Sequence, residues 1–80
     1  MTNETLRRFF DLDAAERWSF GRKDGAHCEG YAIEVEDDRV LFGYGGPLAP
    51  DELEWIPFDA IRIDGLSYWD RQKQRWVDFS

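Results

Sequence analysis

The apolar positions along this chain follow a helical period first and a two-residue period afterwards. Leu6, Phe9 and Phe10 fall at i, i+3 and i+4, the spacing that gathers side chains on one face of an α-helix. Thr2 or Asn3 can cap the first turn. Asp13 and Glu16 stand at capping-box spacing, which would start a further turn. The pattern predicts helix over about residues 3–16, with a break near Asp11–Asp13.

After Arg17 the alternation predicts strands, because successive side chains of a strand point to opposite faces. Asp24-Gly25 is a strong hairpin dipeptide for a two-residue turn with positive φ at both centres. That turn pairs Trp18 with Tyr31 and Arg22 with His27. Asp37-Asp38 suggests a second turn, pairing Glu36 with Arg39, Val35 with Val40, Ile33 with Phe42 and Tyr31 with Tyr44. Both registers put Trp18, Phe20, Tyr31, Ile33, Val35, Val40, Phe42 and Tyr44 on one face. Gly21, Cys28, Gly30, Ala32, Glu34, Glu36, Leu41 and Gly43 fall on the other, where small residues leave room for a close neighbour such as the helix. A slip of one residue would turn the first set to water.

The meander is expected over residues 17–45, a Gly- and Pro-rich loop over 46–52 and further strands over 53–80. Pro57 confines Leu53–Phe58 to an edge or a bent strand. Asp59-Ala60 turns into a strand Ile61-Arg62-Ile63, and Asp64-Gly65 makes the next corner. A four-residue loop over Arg71–Gln74 pairs Asp70 with Arg75, Trp69 with Trp76, Tyr68 with Val77 and Leu66 with Phe79. Leu66, Tyr68, Val77 and Phe79 then share the core face, and the two indoles lie together on the other. The fold class is α+β and mostly β: a short N-terminal helix and five or six antiparallel strands in one domain, 1–80.

Eighty residues lie near the lower limit for a chain that folds on its own core. Four Trp, six Phe and three Tyr supply the bulk such a core needs. The single cysteine excludes an internal disulfide. No stretch reads as a signal peptide or a membrane span, so a cytoplasmic protein is expected.

Charge sharpens the picture. The net charge is −7, and it is unevenly placed. Residues 1–28 balance, whereas residues 29–64 carry ten acids against Arg39 and Arg62, a sum of −8. Residues 65–80 sum to +1. A field of this sign repels nucleic-acid phosphates and attracts a basic partner.

Reactive groups are few. His27 and Cys28 are the only residues of their kinds, and as strand neighbours they point apart, so they form no dyad. Thiolate or imidazole metal sites need several such ligands. Asp37-Asp38 and Asp51-Glu52 lack the spaced pattern of a calcium loop. No Gly-rich phosphate loop precedes a helix. No catalytic residue, metal or cofactor is assigned.

The segment Trp55-Ile56-Pro57-Phe58-Asp59-Ala60-Ile61, read as strand, turn and strand behind a helix and meander, is similar to small SH3-like and Sm-like barrels. That resemblance implies a barrel-like scaffold and no particular function.

Three functions are expected in descending order. The first is a non-enzymatic inhibitor whose acidic ridge (Glu34, Glu36, Asp37, Asp38, Asp51, Glu52, Glu54) occupies a basic, nucleic-acid-binding surface of another protein. In size and charge the chain is similar to anti-CRISPR, DNA-mimic and immunity proteins. The second is an adaptor docking through Trp69 and Trp76 beside Arg71, Lys73 and Arg75, with the loop at Pro47–Pro50. The third is a carboxylate-based hydrolase, which needs two acids converging in a pocket. The expected partner is a protein, with no direct contact to nucleic acid or membrane, and the chain itself a monomer or a dimer.

Overall fold

The computed structural model of the protein describes residues 2–44 and 52–79. Helix α1, Thr2–Phe10, is followed by β1 (Ala15–Gly21), β2 (His27–Val35), β3 (Arg39–Gly43), β4 (Leu53–Pro57), β5 (Ser67–Asp70) and β6 (Arg75–Asp78). The six strands make one antiparallel sheet in the order β4-β3-β2-β1-β5-β6. The sheet is not closed into a barrel, so the closure implied by the SH3-like and Sm-like resemblance is absent: β4 and β6 are edges. Among the described residues no helix is long and apolar enough to cross a membrane.

The helix forms where its spacing predicts but stops six residues early. Glu4 lies in its first turn and Arg7 and Arg8 in its last, each sign favourable to the helix dipole. Leu6, Phe9 and Phe10 are buried. The capping-box spacing of Asp13 and Glu16 starts no helix, because Ala15 already belongs to a strand. β1 pairs on both sides, with β2 and with β5. Ladder bonds along both edges, with Trp18 and Phe20 buried beneath, outweigh a cap worth about 1 kcal/mol.

The first hairpin departs from its predicted register by one residue. Arg22 N–H donates to the Ala26 carbonyl at 2.7 Å and Gly25 N–H to the Arg22 carbonyl at 3.0 Å. Gly25 has φ of +98°, and the Asp24 carboxylate accepts from Ala26 N–H at 2.9 Å. This is a three-residue loop, a turn followed by a left-handed glycine, rather than a two-residue one. It pairs Trp18 with Gly30, Phe20 with Cys28 and Gly21 with His27. Tyr31 and Ile33 therefore leave the core face, while Cys28 and Gly30 join it.

A bulge then restores the phase. At the Asp37-Asp38 end Val35 pairs with Val40, as expected, but the register shifts between Ala32 and Glu34. Beyond the shift Ala32 pairs with Phe42 and Tyr31 with Gly43, instead of Ile33 with Phe42 and Tyr31 with Tyr44. One extra residue in β2 lets Cys28, Gly30, Ala32 and Val35 all face inward beside Val40 and Phe42.

Between β4 and β5 the chain must cross β3, β2 and β1. Phe58–Ala60 form a 3-10 turn. Ile61 makes a single bridge to Arg22, and Arg62 N–H bonds the Gly21 carbonyl at 2.9 Å. The strand expected over Ile61–Ile63 is thus reduced to this bridge against the end of β1, where Lys23 N–H also donates to the Ala60 carbonyl at 2.9 Å. Phe58, Ile61 and Leu66 are fully buried along the way. The last hairpin has the predicted register throughout: Asp70 faces Arg75, Trp69 faces Trp76, and Tyr68 faces Val77. Phe79 N–H donates to the Leu66 carbonyl at 2.8 Å.

The core sits between helix and sheet. Phe10 is its hub, edge-on to Phe20 at 5.5 Å and stacked on Phe58 at 6.1 Å. Each fully buried phenyl contributes roughly 1.5–3 kcal/mol, so Phe9, Phe20, Phe42 and Phe58 are a large share of what holds so short a chain together.

Candidate functional site

The helix covers one face of the sheet. The other face carries, strand by strand, Trp76, Trp69, Arg17, Tyr31, Gly43 and Leu53 in one continuous row, fixed by the registers of β6, β5, β1, β2, β3 and β4. Ile33, displaced outward by the bulge, leans toward the space above Gly43, where Leu53 also reaches. Leu41 and Trp55 face each other in the next row. Ile33 is 41% exposed, Trp76 39% and Leu53 37%.

Each ring on this face has a definite neighbour. Trp69 and Trp76 meet edge-on, with centroids 5.7 Å apart and planes at 79°. The Arg39 guanidinium lies 4.0 Å from the centre of the Trp55 ring, held there by a 2.6 Å bond from its Nε to the Glu36 carboxylate. Arg17 lies 5.9 Å from the centre of the Tyr31 ring and donates to the Tyr31 hydroxyl at 3.3 Å. A recess of about 270 Å³ opens beside the indoles, lined by Glu16, Arg17, Trp69, Gln74 and Trp76. The exposed carboxylates of Glu29 and Glu34 stand on the same face of β2 and join no ion pair among the described residues.

The Trp69–Trp76 pair is therefore not covered by the helix, which packs on the opposite face. Of the basic residues expected beside it, Arg71, Lys73 and Arg75 are all exposed around the β5–β6 turn. Asp70, which begins that turn, is buried; its Oδ1 accepts from Gln72 and Lys73 N–H, each at 2.9 Å. Gln74 closes the turn with φ of +56°.

The acidic residues do not form one ridge. Glu36, Asp37 and Asp38 sit at the β2–β3 turn, where Asp37 reaches Arg7 at 3.1 Å and Glu36 holds Arg39. Asp38 joins them with Asn3 around a shallow recess. Glu52 and Glu54 lie at the other end of β3, since Glu54 pairs with Phe42 and the Glu52 carbonyl accepts from Tyr44 N–H. Glu34 is between, on the open face. The loop at 46–52, with Pro47–Pro50 and Asp51, falls outside the described residues, Glu52 excepted.

Glu54 belongs to a cluster the sequence did not reveal. The Tyr44 hydroxyl donates to its Oε1 at 2.7 Å, and Arg22 reaches both its oxygens at 3.2–3.3 Å. The Tyr44 hydrogen bond, helped by Arg22, lowers the Glu54 carboxyl below its ordinary range. Tyr44 is pushed up, first by burial of its hydroxyl and then by the neighbouring Cys28 and Glu54. The Cys28 sulfur is 3.5 Å from that hydroxyl and buried beneath it. Residues 22, 44 and 54 come from just beyond β1, just beyond β3 and from β4, so their separation in sequence gives no sign of the cluster.

His27 is exposed and bonds Ser19 across the hairpin at 2.9 Å. It faces Gly21, not Arg22. A recess of about 740 Å³ lies along the helix by Leu12 and Phe79. Its carboxylates Glu4 and Asp11 are exposed, and Glu4 is bonded to Arg8 at 2.7 Å; general acid–base work needs a desolvated carboxyl. Among the described residues no three His, Cys, Asp or Glu side chains gather as metal ligands. Comparison of the chain with family models, with curated proteins and with solved structures gives no match.

Proposed function

We propose that this protein is a non-catalytic protein-binding domain, and that it docks through the face of its sheet opposite the helix onto a partner with a basic, partly apolar surface. One observation carries the reading: Trp76, Trp69, Tyr31 and Leu53, with Arg17 and Gly43 between them and Ile33 beside them, share one row across the face of the sheet that the helix leaves uncovered. Exposed apolar patches on small domains mark interaction surfaces, and Trp, Tyr and Arg dominate binding energy at them. Glu29 and Glu34, without ion pairs of their own, supply a sign that complements a basic surface.

Capture from the native host tests this. Tagged domain is compared with a variant carrying Trp69→Ala and Trp76→Ala at low and high salt. Loss of the retained protein with the double variant, in a domain whose circular dichroism is unchanged, supports the reading. An identical retained set contradicts it.

A second reading, the acidic inhibitor, is favoured by a different observation: Glu36, Asp37 and Asp38 project together from the β2–β3 turn beside the start of the helix. Under that reading Glu36→Lys, Asp37→Lys and Asp38→Lys together abolish capture and slow association at low salt, while the tryptophan variant captures normally. Arg7 and Arg39 already offset two of the three charges, so the aromatic face is the stronger candidate.

A further inference from the structure

Both edges of this sheet are open among the described residues, and they carry opposite charge. In antiparallel pairs the residues alternate between those bonded inward and those whose peptide groups face away. Tyr44 N–H bonds the Glu52 carbonyl and Phe58 N–H the Asp38 carbonyl, which fixes the alternation on β4 and turns the peptide groups of Leu53 and Trp55 to the open edge. Phe79 N–H bonds the Leu66 carbonyl, which in the same way turns those of Trp76 and Asp78 outward from β6. Each edge thus offers two residues' worth of unpaired N–H and C=O groups, the template on which another strand adds.

Glu52, Glu54 and Asp59 flank the β4 edge, while Arg71, Lys73 and Arg75 flank the β6 edge and none of these three joins an ion pair among the described residues. We infer that β4 of one copy pairs with β6 of the next. In the antiparallel register that uses all four outward residues, Trp55 faces Trp76 of the next copy and Leu53 faces its Asp78. Trp55 and Trp76 both lie on the open face, so the contact adds an aromatic cross-strand pair there. Glu54 and Arg75 lie on the opposite face as diagonal neighbours, and Asp59 approaches the basic turn. A β4–β4 or β6–β6 contact would instead set like charges together.

Such a contact joins unlike surfaces, so each copy keeps one free edge of each kind and growth continues past the dimer unless the rotation closes a ring. The inference goes beyond the docking proposal and is independent of it: a row of copies repeats the aromatic face, but either can hold without the other.

Sedimentation velocity of the purified full chain over a hundredfold range of concentration tests it. The expected result is a mass that rises past the dimer with concentration and falls at high salt. Asp78→Pro removes an N–H that the internal ladder does not use and should leave a folded monomer. Charge reversal covers the case in which that variant misfolds. Lys73→Glu with Arg75→Glu, or Asp59→Lys, each weakens association by about tenfold or more, and an equimolar mixture of the two variants regains it. A chain that stays monomeric throughout, one that stops at a dimer, or a mixture that associates no better than either variant alone overturns the inference. None of these results bears on capture through the aromatic face.

Discussion

The indole N–H of Trp18 donates to the Phe9 carbonyl at 2.7 Å inside the core, so one ring fills the space under the helix and satisfies one of its last carbonyls. Trp18→Phe keeps an aromatic ring but leaves that carbonyl unpaired and a void beside it. The expected loss is roughly 2–4 kcal/mol by urea denaturation, against less than about 0.5 kcal/mol for Trp76→Phe on the open face. Glu54 gives a prediction in pH. Its carboxyl is lowered in the folded state, first by Tyr44 and then by Arg22, so its contribution is present above the unfolded pKa and lost as the pH falls through the folded one. Glu54→Gln should therefore be less stable than the parent at neutral pH, with the gap closing as a denaturation series moves down through the carboxylate range. A gap that widens in acid would refute the assignment.

At the scale of elements, the lesson lies in β2. Gly30 sits where a Cβ would meet the Gly43 carbonyl oxygen and the Phe42 ring. Gly30→Ala therefore forces β2 and β3 apart, at about 1–3 kcal/mol, whereas the φ of Gly25 makes Gly25→Ala a strain confined to the loop. The bulge makes the opposite kind of prediction. Deleting Ile33 leaves Ala32, Glu34 and Val35 in ordinary alternation against β3, so the shortened chain should keep the parent's near-ultraviolet circular dichroism and cooperative unfolding. A molten product would show that the bulge is needed for folding itself. These details explain what was legible in the sequence. The last hairpin was read correctly to the residue because Arg71–Gln74 admits one loop length that puts Leu66, Tyr68, Val77 and Phe79 together. Asp24-Gly25 admits two, since a glycine with positive φ serves a two-residue turn and a three-residue loop alike. Alternation alone then favoured the register with the larger residues inside, and missed that Gly30 is small because Phe42 needs the room. The early end of the helix was hidden for a similar reason, since β1 is held on one side by β5, about fifty residues further along the chain.

On the scale of the whole molecule, strand order decides what the charge can do. β2, β3 and β4 occupy one side of the sheet and β5 and β6 the other, so Glu29, Glu34, Glu36, Asp37, Asp38, Glu52 and Glu54 lie toward one side of the domain and Arg71, Lys73 and Arg75 toward the other. Of the acids seen in the sequence as a ridge, Glu36, Asp37 and Asp38 lie at one end of β3 and Glu52 and Glu54 at the other, with Glu34 between them, and Arg7, Arg22 and Arg39 each hold one. Sequence reading found the Trp69–Trp76 pair, because it follows from one local hairpin. It missed Tyr31 and Ile33, because their place on the open face follows from the two register changes in β2, and Leu53, because that follows from the pairing of β3 with β4 across the loop. If the open face is the docking surface, long-range attraction and contact are separable. Charge reversal at Glu29 and Glu34 should slow association and flatten its dependence on salt, with little change in dissociation, whereas Trp69→Ala with Trp76→Ala should speed dissociation. Surface plasmon resonance on the captured partner reads both rates.

The four indole N–H resonances of the isotopically labelled domain give the most direct test. Trp55, Trp69 and Trp76 report on the open face, and Trp18, bonded to Phe9, reports on the core. When the protein captured from the host is added, the first three should shift or broaden while Trp18 stays in place. If all four stay fixed and the backbone amides of Asp37 and Asp38 move instead, the open face is not where this domain binds.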